Sequence, residues 1–395
     1  MHAVRLLHRW SAAALEGVHA HRREAVWTAV RALLKGRELW LSGLGRAIGG
    51  DVDEKHSIKR MDRLLGNAHL SGERLTWYRW IARQVLRGNR RPVVLVDWSD
   101  LDERKGLALL RAAVAVNGRA LPIYEEVHEH EGNAQMHRQF LSSLSRILGA
   151  DCEPIVLTDA GFRVWWFELV AERGWSYVGR VRNREYVQWL TGGKWFRNKV
   201  LHARATARAK ALGRALLSMS RRHEVALYLY RSKAKQRVKL NRYGAKKKGH
   251  RERKFAQRNR EPWLLASNLD DVRARQVVKL YRTRMQIEEA FRDLKAPRHG
   301  FALRHNLGRQ RERVANLLLL AALGMLATWL MGLIAQARGL HRGMQANTVR
   351  SRRVLSVFFI GTRLLARNPT VTAPELTTAL ETLRQNAQQQ RPFAA

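Results

Sequence analysis

Three carboxylates, Asp97, Asp159 and Glu288, stand where chemistry could be done. Asp97 closes the apolar run Val93-Val94-Leu95-Val96, and Asp159 follows Ile155-Val156-Leu157-Thr158. Short continuous apolar runs read as strands buried on both faces, so both acids fall at strand ends. Neighbouring strands would bring them to one sheet edge. Asp100 is the local rival to Asp97, but lies past the strand, where an acid more often caps a turn. Glu288 belongs to the stretch Leu280–Lys295, which reads as helix. At about 100° per residue, Tyr281, Arg284, Glu288 and Lys295 fall at roughly 0°, 300°, 340° and 320°. Glu289 falls at roughly 80°, off that stripe. One helix face thus presents a carboxylate flanked by a guanidinium, an ammonium and a phenol, while Ile287, Phe291 and Leu294 can pack inward. Hard oxygen ligands of this kind suit Mg²⁺. Two such ions about 3.5–4 Å apart activate the attacking and leaving oxygens of a phosphodiester. The cations on the face would take phosphate oxygens.

The elements that must position these groups emerge from the rest of the chain. Its 395 residues hold 73 Lys+Arg against 33 Asp+Glu, a net charge of +40. With 46% hydrophobic residues and 13 Trp, the chain is too apolar for a disordered polycation. A folded protein this basic needs a polyanion, and nucleic acid is the leading one. The single cysteine, Cys152, excludes an internal disulfide and a Cys-cluster zinc site. The N-terminus enters a charged helical pattern, not an apolar signal core, and the expected location is the cytoplasm, at the nucleoid. Val314–Ala337 carries no charge and is long enough to cross a bilayer. Arginines flank it on both sides, with no positive-inside asymmetry, so it reads as a helix buried in a core and no membrane partner is expected.

Residues 1–90 read as basic and helical, over Val4–His19, Arg22–Leu34 and Thr76–Leu86, with glycines 43, 45 and 49 as turns. From Arg91 the texture becomes α/β. Asn117-Gly118 between two apolar runs predicts a hairpin, because both turn residues must accept positive φ. A helix over Gln135–Leu148, a strand at Pro154–Leu157, a helix over Phe162–Arg173 and a strand at Trp175–Val181 follow. Alternation at Glu224–Tyr230 and the run Pro262–Ala266 give further strands, and a long helical region spans Val272–Ala296. Three antiparallel strands followed by α/β units make a ribonuclease H-like arrangement, with 183–261 as a β-rich basic insertion. Within it, Lys235–Arg260 holds twelve Lys/Arg against one acid, Glu252. Lys246, Lys247, Lys248, Arg251 and Arg253 are its expected phosphate contacts, since each neutralised phosphate releases counterions. His128 and His130, with Glu125, Glu126, Glu129 and His137, offer a transition-metal constellation, though a solvated loop explains them better. No Walker motif appears.

Tyr281-x2-Arg284-x3-Glu288-x6-Lys295 resembles in full the signature of a group of bacterial insertion-sequence transposases with a DDE triad. The blocks Val96-Asp97-Trp98-Ser99-Asp100, Leu157-Thr158-Asp159-Ala160-Gly161-Phe162, Glu261-Pro262-Trp263-Leu264-Leu265 and Phe291-Arg292-Asp293-Leu294-Lys295 resemble the same group. The spacings, 62 residues from Asp97 to Asp159 and 129 on to Glu288, fit as well. The likeness covers roughly 90–330. Ala160 departs from it, because many relatives carry Arg there, and this puts one accessory phosphate contact in doubt.

The resemblance implies that Asp97, Asp159 and Glu288 hold two Mg²⁺ ions, with Mn²⁺ able to substitute. The enzyme would nick double-stranded DNA at transposon ends and join the 3′-OH to target DNA. Tyr281, Arg284 and Lys295 would grip terminal phosphates, and Trp189 or Trp195 would stack a base flipped at a hairpin end. Residues 1–90 would bind the DNA ends, 91–335 would be catalytic, and 336–395 would pair protomers into a homodimer on DNA. The alternatives are a nuclease of the same fold without strand transfer, or a non-catalytic DNA-binding derivative.

Overall fold

The computed structural model describes residues 2–101, 106–232, 249, 261–346, 348–349 and 351–391. The basic cluster Lys246, Lys247, Lys248, Arg251 and Arg253 lies outside them. The fold is mixed α/β, consistent with a ribonuclease H-like arrangement. The chain forms two compact units, Met1–Cys152 with Met285–Gln390, and Glu153–Arg284 with Arg391–Ala395.

The first unit opens with helices α1 (His2–Ala14), α2 (Ala20–Gly36), α3 (Leu41–Ile48), α4 (Glu54–Leu65) and α5 (Ala68–Leu86). Trp27 meets Trp77 and Trp80 edge-on, at centroid distances of 6.3 and 5.8 Å. Gly43 and Gly45 are not turn residues but lie within α3. A Cβ at Gly45 would stand 2.6 Å from the Ile58 Cα of α4, so the small residue is what lets the two helices approach. Gly49 and Gly50, at φ 68° and 106°, take the chain out of α3 through a bend.

Strands β1 (Val93–Asp100), β2 (Ala108–Ala115) and β3 (Ala120–His128) form the antiparallel meander, followed by α6 (Ala134–Leu148). Asn117 and Gly118 take φ 71° and 94° at the hairpin, as the dipeptide predicts. After the second unit the chain returns with α9 (Met285–Lys295), α10 (Arg311–Ala337), α11 (Val357–Ala366) and α12 (Ala373–Gln388). Helix α10 contains the uncharged stretch. Its most apolar window is wholly buried, against α2, α4, α5, α11, α12 and β3. Each large side chain buried there contributes about 1.5–3 kcal/mol. Its one buried amide is satisfied: Asn316 donates to the Leu65 carbonyl at 2.9 Å and accepts from Arg74 at 3.1 Å.

The second unit holds β4 (Ile155–Thr158), α7 (Val164–Ala171), β5 (Ser176–Arg180), β6 (Tyr186–Trp189), β7 (Phe196–Arg197), β8 (Lys210–Leu217), β9 (His223–Tyr230), β10 (Trp263–Ser267) and α8 (Ala274–Arg282). β4 and β5 are parallel, whereas β5–β10, β10–β9, β9–β8, β8–β6 and β6–β7 are antiparallel. The helical region expected over Val272–Ala296 is therefore two helices, α8 and α9. The Thr283 hydroxyl donates to the Leu280 carbonyl at 2.7 Å, and the Arg284 amide reaches back only three residues, to Tyr281, at 3.1 Å. A hydroxyl competing for a helical carbonyl and a tightened last turn end the helix there.

Candidate active site

The first unit holds Asp97, Glu288 and Lys295; the second holds Asp159, Tyr281 and Arg284.

In the first unit, side chains alternate along β1, so Asp97 and Ser99 share the face opposite Val96 and Trp98. β1 runs on past the expected strand end, so Asp97 lies inside it and Asp100 is its last paired residue. Asp97 is half-buried, and its Oδ1 accepts the Trp98 amide at 2.9 Å, which fixes the side chain. Cα pairing runs Asp97 to Arg111 to Glu125 across the three strands, and directly paired side chains share a face. Helix α9 packs on this meander, with Ile287, Ala290 and Leu294 buried and Glu288 exposed in its first turn. Its last residue is anchored. Lys295 Nζ donates to Ser99 Oγ at 2.7 Å and to the Asp100 carbonyl. Burial, reinforced by the Arg111 charge, lowers the Lys295 ammonium to about 8. At the other end of α9, Gln286 Oε1 accepts the Val116 amide at 3.1 Å. Glu289 is occupied by Arg292 at 2.7 Å and Arg119 at 3.6 Å.

Sequence reasoning missed the residues behind this face. The Arg111 and Glu125 side chains are 0% and 1% exposed and pair at 2.6 Å. Tyr78 donates to the other Glu125 oxygen at 3.2 Å. Arg111 lies over the Phe291 ring of α9, 4.6 Å from its centroid, and its Nη1 is buried with no hydrogen-bond acceptor among the described residues. Burial raises the Glu125 carboxyl above the usual range despite the pull of Arg111. The signal was an arginine inside an apolar hairpin strand. Counting from Asn117-Gly118 would set it opposite Tyr124, and the irregularity at Ala112/Ala113 shifts it to Glu125. Glu125 thus faces inward and does not join the His128 constellation. His128 instead meets Glu126 at 3.0 Å. His137 accepts the Trp98 indole at 3.1 Å, and burial, followed by the His128 charge, pushes it down to about 3. Among the described residues, no three His, Cys, Asp or Glu side chains gather into a metal-holding group.

In the second unit, Asp159 follows β4 and is half-buried. Its Oδ1 accepts the Gly161 amide at 2.6 Å, an Asx-type turn in which a Cβ at Gly161 would crowd that oxygen. Tyr281 is buried edge-on to Trp263 at 5.1 Å, and Trp263 stands 5.7 Å from Tyr230. Glu261, at the head of that block, is held by Arg180 at 2.7 Å. Trp189 packs on Phe196 at 5.7 Å. The donor chemistry of Asp97, Asp159 and Glu288 fits a hard divalent cation: all are carboxylates, and backbone amides fix two of them.

Residues 88–326, well over half of the chain, match the family model described as "Transposase DDE domain". No curated protein matches the chain.

Proposed function

The chain belongs to the Transposase DDE domain family, and on that premise we propose that it cuts double-stranded DNA at the ends of a bacterial insertion sequence and joins the resulting 3′-OH to target DNA. The observation that carries this reading is the family match, whose span contains Asp97, Asp159, Glu288 and Lys295. Those three carboxylates would hold two Mg²⁺ ions, with Mn²⁺ as a substitute. When bound there, the ions supply Lewis acidity to the attacking and leaving oxygens. Lys295, Arg284 and Tyr281 bind phosphate oxygens and orient the scissile bond. The tie from Lys295 to the end of β1 supports this, because it holds the Glu288 helix to the strand that bears Asp97. Lys246, Lys247, Lys248, Arg251 and Arg253 neutralise further phosphates, helices 1–90 recognise the terminal repeats, and 336–395 pairs two protomers on DNA in the cytoplasm.

Asp159→Asn tests the reading. It should abolish strand cleavage of a terminal-repeat duplex while gel-shift affinity persists. Full cleavage by that variant would sink the assignment.

A further inference from the structure

Away from the three carboxylates, the first unit carries a cavity of about 590 Å³ between the β2–β3 hairpin turn, the end of α9 and the start of α11. Arg119, Arg292 and Arg353 line it, against one acid, Asp293. Arg119 Nε donates to Asp293 at 2.7 Å, and Arg292 turns to Glu289 at 2.7 Å. Arg353 is half-buried and donates to the Leu355 carbonyl at 2.9 Å, with no carboxylate partner among the described residues. Burial and then the Arg119 charge lower its pKa, so these two guanidiniums feel each other. Like charges held together in a partly desolvated space repel, and an anion between them would relieve the repulsion.

Helix α11 adds to the same field. Ser356 caps it by accepting the Phe359 amide at 3.1 Å. The amides of Val357 and Phe358, at the first two helical positions, have no intrahelical acceptor. They stand at the positive end of a ten-residue helix, which favours an anion. Beside them, Phe359 and His299 meet edge-on at 5.9 Å and offer aromatic surface to the cavity. The charge count selects the anion. Asp293 and Glu289 offset two of the three guanidiniums, leaving about one positive charge. That suits a phosphodiester, which carries about one negative charge, better than a terminal phosphate or a triphosphate.

We propose that this cavity holds one nucleotide of a DNA strand, its phosphodiester between Arg119, Arg353 and the start of α11, and its base against Phe359 and His299. The inference rests on the reading that the protein acts on DNA. Base stacking on such a platform is sequence-tolerant, so the site grips a strand without reading it.

Photo-crosslinking of the full chain tests this. The probe is a single-stranded oligonucleotide carrying 5-iododeoxyuridine, with 5-iododeoxyuridine monophosphate as the free-nucleotide arm. Gel shift of the same oligonucleotide records total binding. The expected result is adduct on the peptides containing His299 or Phe359. Arg353→Gln should lower that adduct about tenfold, the loss of one charge-assisted contact, and Arg353→Lys should restore part of it. Both variants should keep the parent melting temperature, since Arg353 has no ion pair among the described residues to lose. Adduct confined to other peptides, with gel-shift binding intact, overturns the site but not the DNA reading. Equal labelling by the free monophosphate overturns the assignment to a strand. Absence of a gel shift with this oligonucleotide overturns the strand site, and absence of one with a terminal-repeat duplex as well overturns the DNA reading. If both variants melt lower, Arg119→Lys replaces them: it keeps the charge at Asp293 and should change the adduct less than twofold, and loss of the adduct there would refute the phosphate role of charge.

Discussion

Glu125→Gln is the substitution that most directly probes what supports the Asp97 strand. Among the described residues, it removes the only carboxylate paired with Arg111, whose guanidinium is fully buried and already has an Nη1 without an acceptor. The unpaired charge cannot reach water. Breaking a buried pair from one side costs about 3–5 kcal/mol, whereas replacing both partners with apolar groups of similar volume is neutral or stabilising. Tyr78 also donates to Glu125, so the apolar replacement must remove that hydroxyl too. Arg111→Met with Glu125→Leu and Tyr78→Phe keeps volume, and methionine retains contact with the Phe291 ring. The single variant should lose about 3–5 kcal/mol, and the triple variant should recover most of it. Guanidinium denaturation of the full chain reads the global effect. Hydrogen exchange of peptides over 108–128 assigns the loss to β2 and β3. A single variant within about 1 kcal/mol of the parent would refute the argument, as would a triple variant no better than the single.

Three further outcomes follow from local geometry. Burial raises the Asp293 carboxyl to about 6 from 3.8, outweighing Arg119, so the folded state holds this proton more tightly than the unfolded one. Stability from it is present at low pH and is lost as pH rises through that window. Between pH 5 and 7 the parent should lose about 1 kcal/mol relative to Asp293→Asn; parallel melting profiles for the two proteins would count against the raised carboxyl. Gly361→Ala in α11 puts a Cβ onto the Thr328 carbonyl of α10, and should cost about 3 kcal/mol by overpacking despite better helix propensity. Gly72→Ala in α5 meets nothing within 4 Å and should instead gain about 0.5–1 kcal/mol, so equal signs for the two in thermal denaturation would contradict the packing account.

The parts of the fold that could be read in advance are those whose local and tertiary preferences agree. The apolar runs at Val93 and Ile155 are strands because burial on both faces demands unbroken hydrophobicity, and Asn117-Gly118 is a hairpin because its backbone demands positive φ. Helix α10 was legible as core for the same reason: apolar all round, it is buried all round. Gly43 and Gly45 misled because a glycine makes a turn and permits a close helix contact with the same residue, and only the position of Ile58 separates the two. Arg111 and Glu125 escaped because their pairing depends on one irregularity in strand register.

The Tyr281–Lys295 stripe shows the same limit in the candidate site. A single stripe from Tyr281 to Lys295 needs one straight helix, and Thr283 breaks that helix by taking the Leu280 carbonyl. Inside α9 the stripe persists. Glu288 and Lys295 are seven residues apart, about two turns, so they share a face there. Between them Phe291 packs beneath Arg111, and Lys295 fastens the helix to the end of β1. Tyr281 belongs to α8 and is held by Trp263. Phe291, Lys295 and Tyr281 are therefore first packing residues of their own units, whereas Glu288 is exposed. An alanine at Lys295 would remove the proposed phosphate ligand and, at the same time, the bond that sets the pose of the Glu288 helix. Loss of activity in such a variant cannot distinguish chemistry from position. Methylation of Lys295 keeps the charge while crowding its contacts with Ser99 and Asp100, so it separates the two roles where alanine merges them.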